Sequence, residues 1–352
     1  MGSISLAIMV RDDAARLKRC IESVKHAVDE VVVLDTGSVD DTVNVARAAG
    51  ARVMESSWDG SFSSGLNKLM SEIKTDWTLR LDSDEWFEYD PATDLKDLMS
   101  KDDHYGYRLV RRDILPDSRY REISIFRLWR THPALRYEGL VHENISNESI
   151  EEAFSNLRVG SLPLWFWHDG YRDPSNAKLE RNIKLLEEEL RARPDQPYYR
   201  AMRAVMYLDL GDPKSLPTLE EVADEALAET TPTTRMYAGV FSALLQSSPD
   251  DRIQSDRIRQ VIDRCWRWFG NYPGVLWSIG LAETRRGELE QALRAYLKLE
   301  QLAESGHYET SMPFDPSILG PYLWNALGFT ASRIGRMDIA AKCAKRLQTS
   351  SK

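Results

Sequence analysis

The chain has 352 residues, 55 of them acidic against 46 basic, with a formal net charge of -9 at pH 7 and 42% hydrophobic residues. That length supports two packed cores. The acidic balance argues against a nucleic-acid backbone as the main partner, leaving Arg108, Arg111 and Arg112 as either a solvated strand face or a local phosphate contact. Cys20, Cys265 and Cys343 are too few and too widely spaced for a disulfide framework or a zinc cluster, and fit a reducing, cytoplasmic setting.

In chain order, Ile4 to Val10 reads as a first strand and not a signal segment, because no basic start precedes it and Arg11-Asp12-Asp13 follows. Leu17, Ile21 and Val24 share one helical face, and Val31 to Leu34 is a short β-branched run. A helix with Val43, Val45 and Ala46 comes next, then a strand Ala51 to Glu55, a helix around Leu66 to Ile73 and a strand Trp77 to Leu81. This β-α-β-α-β-α-β order predicts a mainly parallel sheet. Tyr105 to Arg111 and Ile123 to Trp129 read as longer mixed or antiparallel strands that build an acceptor-facing wall. From Asn176 on, helical periodicity dominates, starting with the stripe Leu179, Ile183, Leu186 and Leu190. Leu276, Gly280, Gly287 and Ala292 recur 48 residues later as Trp324, Gly328, Gly335 and Ala340. That recurrence predicts a tetratricopeptide-type array, with an insertion around Gly306 to Pro321 lengthening the usual period of about 34 residues. No stretch approaches about 18 uninterrupted apolar residues, so no membrane span is expected.

Two strand ends carry the chemistry. Leu79-Arg80-Leu81 runs into Asp82-Ser83-Asp84-Glu85, and Val31-Val32-Val33-Leu34 closes in Asp35-Thr36-Gly37-Ser38. An Asp-x-Asp at the end of a strand can hold a hard divalent cation, which in turn can neutralise a diphosphate. Two such ends on one sheet would border one crevice, where open α/β sheets bind nucleotides.

These two ends within Val28 to Thr42 and Trp77 to Glu85, with Ser5 to Asp13 and Leu17 to Val24, Tyr137-Glu138-Gly139-Leu140-Val141-His142-Glu143 and Trp167-His168-Asp169-Gly170-Tyr171, resemble family 2 glycosyltransferases in the subgroup with a C-terminal helical repeat region. The resemblance covers roughly residues 4 to 190. It implies an α/β GT-A (Rossmann-like) catalytic domain over 1–172 followed by an all-α tetratricopeptide-like domain over 173–352. It also implies a nucleotide-sugar donor, most often a UDP-sugar, a Mn2+ or Mg2+ ion, and inversion at the anomeric carbon. Val10, Arg11, Asp12, Asp35 and Ser38 match positions bordering the nucleoside, where an Asp35 or Asp12 carboxylate would accept the uracil imide N–H. Asn67, Arg80, Asp82 and Ser83 fall at donor-facing positions. Asp84 is the implied direct metal ligand, and Asp82 acts on the ribose, through water or on the metal. His168 either completes the metal shell or is a packed residue satisfied by a backbone carbonyl. Glu143 is the expected general base with His142 as the other candidate, while Glu138 reads as a surface residue and Asp40 as a helix N-cap.

One stretch departs from the family. Where relatives carry Asp-Phe-Ser-x-x-Arg-Asn, this chain has Ser61-Phe62-Ser63-Ser64-Gly65-Leu66-Asn67, so Arg80, Lys68 and Arg11 are the cations left to substitute. The expected acceptor is a peptide or protein, including the S-linked or O-linked modification of precursor peptides, or a saccharide or lipid-linked glycan. The helical region is a candidate peptide contact or homodimer surface, with Trp266, Trp268 and Trp277 as either core or binding residues. The alternative is a catalytically inactive scaffold whose helical array binds a partner.

Overall fold

The computed structural model describes residues 2–92, 95, 97, 103–172, 176–249 and 254–350. The chain divides into two compact units, Met1–Pro174 and Ser175–Lys352. The expected boundary between 172 and 173 adjoins residues 173–175, which lie outside the described residues.

In the first unit, β1 (Ile4–Val10), β2 (Glu30–Asp35), β3 (Arg52–Glu55) and β4 (Trp77–Arg80) run parallel in the order β3-β2-β1-β4. β5 is the short strand Glu85–Trp86. The sheet continues through β7 (Tyr120–Arg130), antiparallel to β4, then β6 (His104–Ile114), β10 (Arg158–His168) and finally β5. β1 and β4 are almost wholly buried because both faces are covered, which is why they read as continuous apolar runs. Leu17, Cys20, Ile21 and Val24 of α1 (Ala14–Val24) and Ala46 of α2 (Thr42–Ala48) cover one face. Leu66 and Leu69 of α3 (Phe62–Ser71) cover the other with Ala7, Val32, Leu34 and Trp129. This is the expected GT-A architecture, and its parallel half places the ends of β1, β2 and β4 at one edge. A two-stranded ribbon, β8 (Tyr137–Glu138) with β9 (Asn144–Ile145), carries the loop between them, and α4 (Asn147–Phe154) follows.

The second unit is helical: α5 (Asn176–Ala192), α6 (Pro197–Leu210), α7 (Ser215–Ala228), α8 (Met236–Ser247), α9 (Asp256–Phe269), α10 (Pro273–Arg286), α11 (Leu289–Ser305), α12 (Pro321–Arg333) and α13 (Met337–Ser350). The repeated glycines sit where the pattern requires them. Gly287 and Gly335, both left-handed, turn α10 into α11 and α12 into α13. A side chain at Gly280 would fall within 2.5 Å of Tyr296 Cζ, so that glycine lets the two helices cross closely. Trp266, Trp268 and Trp277 are half-buried and pack against the helical core. Among the described residues no helix is long and apolar enough to cross a membrane.

Candidate active site

The ends of β1 and β2 meet through their loops. In the parallel register Val10 lies beside Asp35, and the Val10 carbonyl accepts both the backbone N–H and the hydroxyl of Thr36 at 3.0 and 3.2 Å. Asp12 is in the left-handed region (φ 51°); its N–H donates to Ser38 Oγ at 2.8 Å and its Oδ1 accepts from the Val39 N–H at 2.7 Å. Asp12 and Ser38 therefore lock the two loops to each other. Asp35 is 3% exposed and accepts the Gly37 and Ser38 N–H groups on Oδ2 at 3.0 and 2.9 Å, while its buried Oδ1 has no hydrogen-bond partner among the described residues. A buried carboxylate oxygen left open at a strand end fits a ligand N–H. Asp40 is not the N-cap itself, which is Asp41; its carboxylate accepts the N–H groups of Thr42 and Ala14 and so serves the starts of α2 and α1 together. Arg11 is half exposed and lies 3.5 Å from Asp12.

The acidic turn after β4 is held by two arginines. Arg80, 8% exposed, reaches Asp82 Oδ1 at 2.7 Å and Glu143 Oε1 at 3.2 Å. Arg127, 5% exposed, reaches Asp82 Oδ2 at 2.8 Å and Glu85 Oε1 at 2.7 Å. Sequence reasoning missed Arg127, because a β-bulge aims it: along the β6–β7 ladder Tyr107 pairs with Leu128 but Arg108 pairs with Phe126, which leaves Arg127 as the extra residue. Each carboxylate oxygen of Asp82 therefore rests on a guanidinium. The Ser83 hydroxyl donates to Asp13 Oδ2 at 2.5 Å and so fixes the turn to the start of α1.

Asp84 is different. Its Oδ2 lies 3.5 Å from His168 Nε2, and Arg16 stands 4.0 Å away. His168 is not satisfied by a backbone carbonyl; its Nδ1 lies 2.7 Å from Asp113 Oδ1. Burial and the nearby Arg111 pull the His168 pKa down, but hydrogen bonds to Asp113 and Asp84 and the charge of Asp84 outweigh them and raise it to about 9. Gly170 leaves the gap between the pair open, since a Cβ there would lie 2.5 Å from His168 Nε2 and 2.6 Å from Asp84 Oδ2. Among the described residues no three His, Cys, Asp or Glu side chains converge into a complete metal site. Asp84 and His168 thus fit a divalent cation whose remaining positions come from phosphate oxygens and water.

Arg111 is half-buried and turned toward these groups. Its Nε is 2.7 Å from Asp113 and its Nη1 3.6 Å from Glu85. Arg112, on the opposite face, pairs with Glu122 at 2.9 Å and lies over the Trp165 ring. One run of charged contacts therefore links Glu143, Arg80, Asp82, Arg127, Glu85, Arg111, Asp113, His168 and Asp84.

Glu143 lies in the β8–β9 loop, largely buried; burial raises its pKa, with Arg80 opposing. His142 is in the left-handed region (φ 53°) and its carbonyl accepts from the Asn144 side chain at 2.9 Å. Asn67 is held by the backbone of Tyr137. Its amide nitrogen donates to the Tyr137 carbonyl at 3.0 Å and its oxygen accepts the Tyr137 N–H at 2.8 Å, so both ends anchor the ribbon that carries Glu143. Asn67→Ala is expected to destabilise the first unit by about 2 kcal/mol by leaving backbone groups unpaired, which a shifted denaturant midpoint would register. Leu66 is fully buried in the apolar cluster beside β1, where a guanidinium would lack a partner. Of the cations expected to substitute, Arg80 reaches the acidic turn, whereas Lys68 pairs with Asp59 at 3.3 Å.

Residues 5–150 match the family model for Glycosyl transferase family 2. A TPR repeat-containing protein of Synechococcus elongatus is 31% identical over 225 residues, covering 61% of this chain and 55% of that protein. The SPbeta prophage-derived glycosyltransferase SunS of Bacillus subtilis is 26% identical over 204 residues, covering 55% of this chain and 47% of that protein. The chain thus spans about half the length of these curated relatives. A mannosyltransferase of Pyrobaculum calidifontis, solved with GDP-Man and Mn2+, is 15% identical with a TM-score of 0.41, over 74% of this chain and 85% of that one. The matched segment lies within the first unit and contains the β1 and β2 ends, the acidic turn and the Glu143 loop, so the candidate site falls largely in the part of the chain that resembles glycosyl transferase family 2.

Proposed function

We propose that the protein is an inverting, metal-dependent glycosyltransferase that moves a sugar from a nucleotide sugar, a UDP-sugar, to a peptide, protein or saccharide acceptor. The observation that carries this reading is the Asp84–His168 pair facing across the gap at Gly170, on the sheet edge that also holds the open oxygen of Asp35. Uracil presents an imide N–H that Asp35 Oδ1 can accept, and a base without that donor would leave the oxygen buried and unpaired. Bound at Asp84 and His168, Mn2+ or Mg2+ would neutralise the departing diphosphate. Glu143 takes the proton from the acceptor as it attacks, and Arg80 orients that carboxylate while holding Asp82 in place. Asp82, fixed by Arg80 and Arg127, keeps the acidic turn in one geometry.

The test is hydrolysis of a panel of nucleotide sugars with Mn2+, with Mg2+ and with chelator, comparing wild type with Asp84→Ala. The expected result is metal-dependent turnover of one uridine-linked donor, lowered at least about 100-fold by Asp84→Ala, as for loss of one charge-stabilising group. Turnover of no donor, with no metal-dependent nucleotide binding, would instead favour an inactive scaffold.

A further inference from the structure

We propose that Asp113 is a positioning residue that presents His168 Nε2 to the metal, acting through the imidazole and touching neither donor nor acceptor. The inference rests on the metal reading above. It is carried by the register at the end of the sheet, where β10 and β6 place His168 beside Asp113 and β10 and β5 place His168 beside Glu85. Neighbours in register project to the same face, so the row Asp113, His168, Glu85 forms directly from strand pairing. Asp113 is 1% exposed and Glu85 is fully buried.

An imidazole that ligates through Nε2 must carry its proton on Nδ1, and a carboxylate accepting from Nδ1 selects that tautomer and fixes the ring plane. Asp113 Oδ1 is 2.7 Å from Nδ1, while Nε2 faces Asp84 at 3.5 Å. Asp113 is itself held, with Arg111 Nε 2.7 Å from Oδ1 and Arg111 Nη2 3.3 Å from Oδ2. Arg111 is anchored in turn 3.6 Å from Glu85, which accepts the Asp82 N–H at 2.9 Å. The support behind the histidine therefore runs back to the acidic turn that carries Asp84. Tyr171 packs edge-on against the imidazole, with ring centroids 5.1 Å apart.

The experiment measures Mn2+ binding to the full chain with uridine diphosphate present, by the loss of the free-ion electron paramagnetic resonance signal beyond that of a protein-free uridine diphosphate control, for wild type, Asp84→Ala and Asp113→Asn. Asparagine keeps the shape of Asp113 and can also turn its amide nitrogen toward Nδ1, which selects the wrong tautomer. The expected result is affinity weakened about 10- to 100-fold by Asp113→Asn, with the metal-free melting temperature of the variant used to confirm that it is folded. Asp113→Asn binding as tightly as wild type would overturn the positioning role and leave the metal reading standing. Wild type whose Mn2+ binding is absent or unaffected by Asp84→Ala would overturn the metal reading, and the proposal with it. Should Asp113→Asn fail to fold, 15N spectra of the histidine-labelled wild type loaded with Cd2+ decide the question. A proton on Nδ1 of His168 with Nε2 metal-shifted supports the role, and a proton on Nε2 overturns it.

Discussion

Replacing Gly170 with alanine is expected to lower metal-dependent turnover at least about 100-fold while leaving the protein folded, since a misplacement of about 1 Å at a reacting centre can cost that much. The added methyl would lie 2.5 Å from His168 Nε2, 3.1 Å from His168 Cε1 and 2.6 Å from Asp84 Oδ2. One of the two side chains must move. The imidazole is pinned at Nδ1 by Asp113 and is only 6% exposed, so the displacement falls mainly on Asp84 and separates the pair. Gly170 is not in the left-handed region, so alanine meets no backbone penalty and its effect comes from occupied space alone. The stability cost is that of modest overpacking, about 1–3 kcal/mol. Paired measurements check this: Mn2+ affinity and donor hydrolysis on one side, the melting temperature on the other. Wild-type metal affinity in Gly170→Ala would remove Asp84 and His168 as the metal pair, because neither could then be close to the ion in the position proposed.

Much of this site was legible in the sequence where a residue's role follows from the end of its own strand. Asp35 and Asp82-Ser83-Asp84 stand out because an apolar run stops at a polar turn, and the parallel order of β2, β1 and β4 brings both turns to one edge. What sequence reading misassigned depends on register. Along β6, Tyr107, Leu109, Arg111 and Asp113 share a face that is apolar at the start and charged at the end. Strand alternation was the available signal that separates Arg111 from Arg108 and Arg112. Nothing local reveals that Asp113 meets His168, 55 residues later, or that a bulge turns Arg127 inward. β10 itself was not expected as a strand, because Trp165, Phe166 and Trp167 form an unbroken aromatic run whose alternation appears only in the structure, with Phe166 in the core and the two tryptophans half-buried. Asn67 and Ser83 are polar and near the site, and their side-chain partners in the fold, the Tyr137 backbone and Asp13, are equally hidden from local sequence. Leu66 shows the same interplay, since the position that relatives fill with arginine is part of this chain's apolar core and Arg80 reaches the acidic turn from within β4.

Glu143→Gln is expected to lower kcat by about 100- to 10,000-fold, the usual contribution of a positioned general base. Glutamine keeps the side-chain shape and an oxygen that can accept from Arg80, so uridine diphosphate affinity is expected to stay near the wild-type value. That separation identifies a group acting on the acceptor proton, because loss of donor binding would move both quantities. The pH profile adds a second readout. Burial raises the Glu143 pKa and the Arg80 charge opposes that rise without cancelling it. A base must be unprotonated to act, so kcat falls as pH drops through this raised value, and the acid limb has its midpoint above the ordinary glutamate value of about 4.3. Glu143→Gln is expected to lose that limb along with most of the rate. An unchanged limb in Glu143→Gln would assign the titration elsewhere, and His142→Ala then decides whether the neighbouring imidazole is the base. A large kcat loss in His142→Ala with Glu143→Gln near wild type would transfer the role to His142; the reverse pattern keeps it on Glu143, where the 3.2 Å contact with Arg80 ties the carboxylate to the turn carrying Asp82 and Asp84.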